Sequence, residues 1–139
     1  MSQERVFHRV FYDGAVNTPQ EFREAMQKPA NVPVFFFDGP EPLGFAWLNG
    51  LSGGLAFAHF GGLKAAQGRS VVVGRAAVGY WMETFGFLEL ILGITPSPNR
   101  LALKLIQRIG FMVLGEIPKM LWDAHRGEKT NAVISYLKR

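Results

Sequence analysis

The stretch from Ile94 to Phe111, ITPSPNRLALKLIQRIGF, constrains the fold of this chain more than any other. An apolar strand breaks at Pro96 and Pro98, a short helix follows at once, and that helix stops at Gly110 before an aromatic residue. Proline lacks the N–H that a sheet ladder needs and presets a helical φ, so the pair ends one element and favours the next. Ser97 with Pro98 behind it is a suitable N-cap and first-turn pair; Asn99 is a second candidate cap, and Gly110 is the expected terminator. Leu101, Ala102, Leu105, Ile106 and Ile109 share one helical face, and Arg100, Lys104, Gln107 and Arg108 share the other.

The remaining elements follow from the same local signals. Val6 to Tyr12 is β-rich and alternates imperfectly, so it reads as a first strand turned by Asp13-Gly14. Thr18-Pro19-Gln20-Glu21 is a capping box with proline at the first helical position, opening a helix to about Lys28 with Phe22 and Met26 as its apolar pair. Val34 to Phe37 and Leu43 to Leu48 are strands, the second turned by Asn49-Gly50 or by Gly53-Gly54. Leu55 to Leu63 is a central strand with Gly61-Gly62 near its end, a place where backbone can approach a ligand closely. Lys64 to Ser70 is a loop, Val71 to about Phe85 a helix, and Phe87 to Ile94 an apolar strand. Phe111 to Leu121 and Asn131 to Leu137 form a terminal strand pair around His125-Arg126-Gly127-Glu128.

Composition limits the classes of function. At 139 residues with 48% hydrophobic content and twelve Phe, residues 1–139 are expected to form one globular domain with a proper core. No apolar run reaches the length of a membrane span, Met1 to Asp13 lacks a signal-peptide pattern, and a cytoplasmic protein is the expectation. Without cysteine there are no disulfides, thiol nucleophiles or thiolate metal sites. His8, His59 and His125 are too scattered to argue for a metal, and neither a Walker loop, a serine nucleophile elbow nor a dinucleotide fingerprint occurs. Charge is uneven: residues 1–63 carry four Lys/Arg against six Asp/Glu, and residues 64–139 carry eleven against five. The basic half suits an anionic ligand; lacking a dense cluster or a recognition motif, nucleic acid is not an expected partner.

The spacing Asn99-x-x-Ala102-x-x-Leu105, followed by Gly110-Phe111, resembles the late motif of the GCN5-related N-acetyltransferase (GNAT) superfamily. The order β-α-β-β-β-α-β-α-β-β is what that resemblance implies across nearly the whole chain. The implied fold is α/β (α+β): a mixed, mostly antiparallel sheet with helices on both faces, opened between the His59 strand and the Glu89 strand. The ending, with a His59-Phe60 strand, the Asn99-Arg100 helix and a glycine-turned hairpin closing on Tyr136-x-x-Arg139, resembles a phage- or prophage-associated subgroup.

The resemblance implies acetyl transfer from acetyl-CoA to a small-molecule or peptide amine by direct attack in a ternary complex. The phosphate loop of the family maps to Gln67, Gly68, Arg69 and Ser70, although Ser70 and Val72 stand where small Gly or Ala positions are expected. Pantetheine contacts map to the end of the central strand, Gly61, Gly62 and Leu63, and to Asn99; Arg100 and Lys104 are placed to reach the nucleotide phosphates. His59 is the first candidate base and Glu89 the second. Where many members carry a tyrosine acid this chain has Ile106, so Tyr80, Tyr136 or water must protonate the thiolate, or no acid is needed. Trp47, Trp81 and Trp122 are candidates for the wall of an acceptor pocket or for core packing. A non-catalytic binding or phage assembly protein on the same scaffold, with a degenerate CoA site, is the alternative. The apolar terminal strands suit pairing across a homodimer.

Overall fold

A computed structural model of the chain describes residues 11, 14–62 and 68–139. The elements, in order, are α1 (Pro19–Met26), β1 (Val32–Asp38), β2 (Glu41–Ser52), β3 (Leu55–Gly62), α2 (Ser70–Thr84), β4 (Leu90–Pro96), α3 (Arg100–Ile109), β5 (Met112–Asp123) and β6 (Glu128–Lys138). The strand expected over residues 6–12 lies outside the described residues except for Phe11, which stacks on Trp47 at 5.1 Å between ring centroids. The loop expected over 64–70 lies largely outside them too.

Six strands form one sheet in the order β1-β2-β3-β4-β6-β5. Every neighbouring pair is antiparallel except β3 and β4, which run parallel and are joined by the crossover helix α2, as a parallel connection requires. Local signals account for the helix ends. Thr18 caps α1: its hydroxyl accepts the Glu21 N–H while the Glu21 carboxylate accepts the Thr18 N–H. α3 is capped by Asn99 rather than Ser97, its side chain accepting the Ala102 N–H at 3.2 Å, and it ends at Gly110 with φ 128°.

Alternation along the strands divides the core between the two faces of the sheet. On one face Phe45 and Trp47 of β2 pack with Phe22 and Met26 of α1. On the other, Ala46, Leu48, Ala56, Ala58 and Ile91 lie beneath Ala77, Val78 and Trp81 of α2 and Ile106 and Ile109 of α3. α2 and α3 approach closely at Gly74, where a Cβ would overlap the Ile109 side chain. Helices therefore cover both faces of a mixed, mostly antiparallel sheet, as expected.

Several boundaries differ from expectation, each for a tertiary reason. β2 runs through Asn49-Gly50 to Ser52 and turns at Gly53-Gly54, because pairing with β3 continues to Leu55 across an irregularity. The fourth strand begins at Leu90 rather than Phe87; residues 85–89 form a connection held by Leu88 N–H to Phe85 O and Glu89 N–H to Gly54 O. Leu101, expected on the buried face of α3, is 68% exposed, and Leu103 packs against the core instead.

Candidate functional site

The site begins with a mismatch in the sheet. β3 and β4 pair only at Leu55 with Leu90, Ala56 with Ile91 and Phe57 with Leu92. Beyond Phe57, β3 stays with β2 as far as Gly62, and β4 stays with β6 as far as Pro96. Each strand keeps its outer partner, and the two part from one another. A fork between parallel strands leaves backbone edges that no ladder joins, and such groups need partners.

A cleft of about 90 Å³ occupies the fork, bounded by His59 and Phe60 from β3, Thr95 and Pro96 from β4, and Asn99 and Ile106 from α3. Asn99 sits where the helix opens. Its Oδ1 is used by the cap, so its Nδ2 amide is the group left to serve the cleft. A second, wider cleft of about 410 Å³ lies on the α1 face, bounded by Phe11, Trp47, Asn49 and His59, with Glu21, Glu24 and Lys28 on its helical side. His59 belongs to both linings.

The position of His59 follows from alternation and register. It lies opposite Trp47 across the β2–β3 ladder, and the two rings stack at 4.6 Å with an interplanar angle of 15°. Its Nε2 lies 3.0 Å from Asn49 Oδ1. An amide oxygen only accepts, so this contact calls for the proton on Nε2 and places the lone pair of the neutral ring on Nδ1. Stacking and hydrogen bond together fix the plane of the imidazole.

At the start of α2, Gly68 has φ 84° and open space around its Cβ position. Arg69 is the N-cap of this 15-residue helix, and its own side chain makes no capping hydrogen bond. The start of a helix is the electrostatic setting in which backbone amides and the helix dipole receive an anion. The Arg69 guanidinium forms an exposed ion pair with Asp38 at 2.7 Å, and Ser70 is the first residue of the helix.

Of the residues expected to carry function, the structure brings His59 and Asn99 together at the fork, with Gly61 two residues further along β3. A Cβ at Gly61 would strike the Phe45 ring, so glycine there is required by packing. Gly62 ends the strand, paired with Gly44, and Leu63 and Gln67 lie outside the described residues. Arg100 and Lys104 are exposed on α3 and border neither cleft. Glu89 is not brought to the site: it precedes β4 at the end where β3 and β4 are paired, exposed and borne on Gly54. Tyr80 is exposed on α2, and the Tyr136 hydroxyl donates to Met112 Sδ at 3.5 Å; neither borders a cleft. Trp47 forms part of the wider cleft, Trp81 is fully buried in the core, and Trp122 is half-exposed on β5.

Sequence reading missed Asn49, treating it as a turn residue, and Thr95. The parity shared by Trp47, Asn49 and His59 was the available signal, but it becomes informative only once the β2–β3 register is known. Among the described residues no group of His, Asp or Glu side chains could hold a metal ion, and no helix is long and apolar enough to cross a membrane.

No protein-family model matches the chain. No curated protein matches it by sequence either. Solved structures do match. A spermidine N-acetyltransferase from Vibrio cholerae, in complex with CoA and spermine, superposes with a TM-score of 0.78 at 14% identity, over 98% of this chain and 83% of that one. An acetyltransferase of the GNAT family from Bacillus anthracis gives 0.77 at 16% identity, over 99% and 83%. The microcin C7 self-immunity acetyltransferase, in complex with acetyl-CoA and AMP, gives 0.71 at 13%, over 86% and 67%. With its forked sheet, crossover helix and Asn-capped α3, this chain has the fold of the GNAT acetyltransferases.

Proposed function

We propose that the protein transfers an acetyl group from acetyl-CoA to an amine, with donor and acceptor meeting at His59. The observation that carries this reading is the presence of His59 in both clefts: a small one in the strand fork and a larger one on the opposite face of the sheet. Acyl transfer between two substrates needs such a junction, because the reacting atoms must be held together in a shared space.

The residues present suit the donor. The start of α2, with its dipole and the positive-φ Gly68 before it, matches the needs of a pyrophosphate. The strand edges of the fork and the Asn99 amide match a pantetheine arm, which carries two amides of its own. Bound acetyl-CoA supplies the activated thioester. The chain's own residues must orient the amine and take its proton, and the imidazole held by Asn49 and Trp47 is the group positioned to accept it. As the new N–C bond forms and the C–S bond breaks, the electron pair leaves on the CoA sulfur. A thiolate is a fair leaving group, so a side chain acid is dispensable.

The acceptor enters through the wider cleft. Its helical side carries Glu21, Glu24 and Lys28, and the Phe11–Trp47–His59 ring stack borders it; the Glu24 carboxylate and the ring faces suit an aliphatic amine. Polyamines, the class bound by the Vibrio cholerae neighbour, are therefore the first acceptors to test.

The experiment is steady-state acetyl transfer from acetyl-CoA to a panel of diamines, polyamines and neutral-chain monoamines, with His59→Ala in parallel. The reading predicts turnover with the charged amines and a fall of about 100-fold or more in kcat for His59→Ala, with unchanged acetyl-CoA affinity. Tight acetyl-CoA binding without turnover on any amine would instead favour a non-catalytic protein on this scaffold.

A further inference from the structure

Most of the fork cleft is lined by apolar side chains, and each of its polar side chains can be matched to a duty. Asn99 uses its Oδ1 for the helix cap. His59 uses Nε2 for Asn49 and stacks on Trp47, toward the α1 face. Thr95 is the third, and it has no such duty. It is 8% exposed, and among the described residues its hydroxyl has no hydrogen-bond partner. A hydroxyl so deeply buried normally has one, so an unpartnered example at a site calls for an explanation.

The strand holds that hydroxyl in place. Thr95 shares the parity of Ile91, which packs beneath α2 and α3, so its side chain lies on that face of the sheet. It stands beyond Leu92, in the stretch of β4 that has parted from β3. Pro96 confines the residue before it to extended backbone, and branching at Cβ restricts the side-chain torsion.

We infer that the Thr95 hydroxyl donates a hydrogen bond to the sulfur of the departing CoA, an inference that rests on the reading that the fork receives acetyl-CoA. When the amine attacks, the N–C bond forms and the C–S bond breaks. The amine proton passes to His59 on the α1 face, and the electron pair passes to sulfur on the face of α2 and α3. The nascent thiolate then lies among apolar side chains, where an unsolvated anion is costly. A donor already in place offsets that cost only as the charge develops, which raises kcat rather than affinity. Thr95 keeps its proton throughout, and the thiolate takes one from water after CoA leaves.

Thr95→Val keeps the branched shape and removes the hydroxyl. Because that hydroxyl is unpaired, the variant should unfold in urea at the midpoint of the parent or above it. Its kcat should fall about tenfold or more with the KM for acetyl-CoA unchanged, and Thr95→Ser should recover most of the loss. A second readout needs no turnover. At alkaline pH, where its thiol ionises, CoA should bind the parent about tenfold more tightly than desulfo-CoA, and Thr95→Val should bind the two alike. Parental kcat in a folded Thr95→Val, a Thr95→Ser as slow as Thr95→Val, or a thiol preference that survives the valine would each overturn the inference and leave the acetyl-transfer reading standing. A folded parent that binds neither CoA nor acetyl-CoA would remove that reading, and the inference with it.

Discussion

Asn99 is asked to do two things with one side chain. Its Oδ1 closes the first turn of α3 on the Ala102 N–H, and Nδ2 is the group left to serve the fork where the pantetheine is proposed to lie. The two roles separate by substitution. Asn99→Asp keeps an oxygen for the cap and is expected to hold stability within about 0.5 kcal/mol, whereas Asn99→Ala should lose about 1 kcal/mol in denaturant unfolding. Both lose the amide donor, so both should weaken acetyl-CoA binding by roughly tenfold, a typical cost for one hydrogen bond. If Asp binds like the parent, Asn99 is a cap alone. The imidazole of His59 poses a parallel question about Asn49: Asn49→Leu removes the acceptor that sets the ring tautomer. It should lower kcat by roughly tenfold with unchanged acetyl-CoA affinity, because it misplaces the base without removing it.

Local chemistry made the helix termini readable and left the strand limits open. The Thr18–Glu21 box and the Gly110 stop depend on residues within one turn, and both stand as expected. The choice between Ser97 and Asn99 did not, since two capping residues separated by a proline offer equivalent local solutions and the strand geometry decides between them. Leu101 shows the limit of periodicity, which names a face but not how far a neighbour covers it. Strand ends are set by partners: β2 extends to Ser52 because β3 is there to pair with it. Two predictions belong to this scale. Gly74→Val should destabilise the fold by about 1–3 kcal/mol in urea unfolding, because the added carbons overlap Ile109 where α2 meets α3. Arg139 donates from Nε to Leu88 O and from its terminal amino group to Met82 O and Phe85 O, tying the end of β6 to the α2–β4 connection. Arg139→Ala should cost about 1–2 kcal/mol and speed amide exchange in residues 85–89.

At the scale of the molecule, one topological choice produces the site. Placing β4 parallel to β3, between strands that are otherwise antiparallel, lets the two part after three residues while each remains satisfied on its outer side. The crossover helix α2 begins beside the end of β1, where Arg69 meets Asp38, and the start of α3 brings Asn99 to the fork. The Asn99 motif and the element order together suggested this architecture through the family resemblance, and His59 and Asn99 were visible as candidates. The remoteness of Glu89 and the second cleft were not, because each depends on which end of a strand pair opens. The central claim is that this fork receives acetyl-CoA. Calorimetric titration of acetyl-CoA into the parent protein and into Asn99→Asp tests it most directly. The account predicts saturable binding in the micromolar range, one ligand per chain, weakened about tenfold by the substitution. A folded parent that gives no binding signal with acetyl-CoA or free CoA would contradict it.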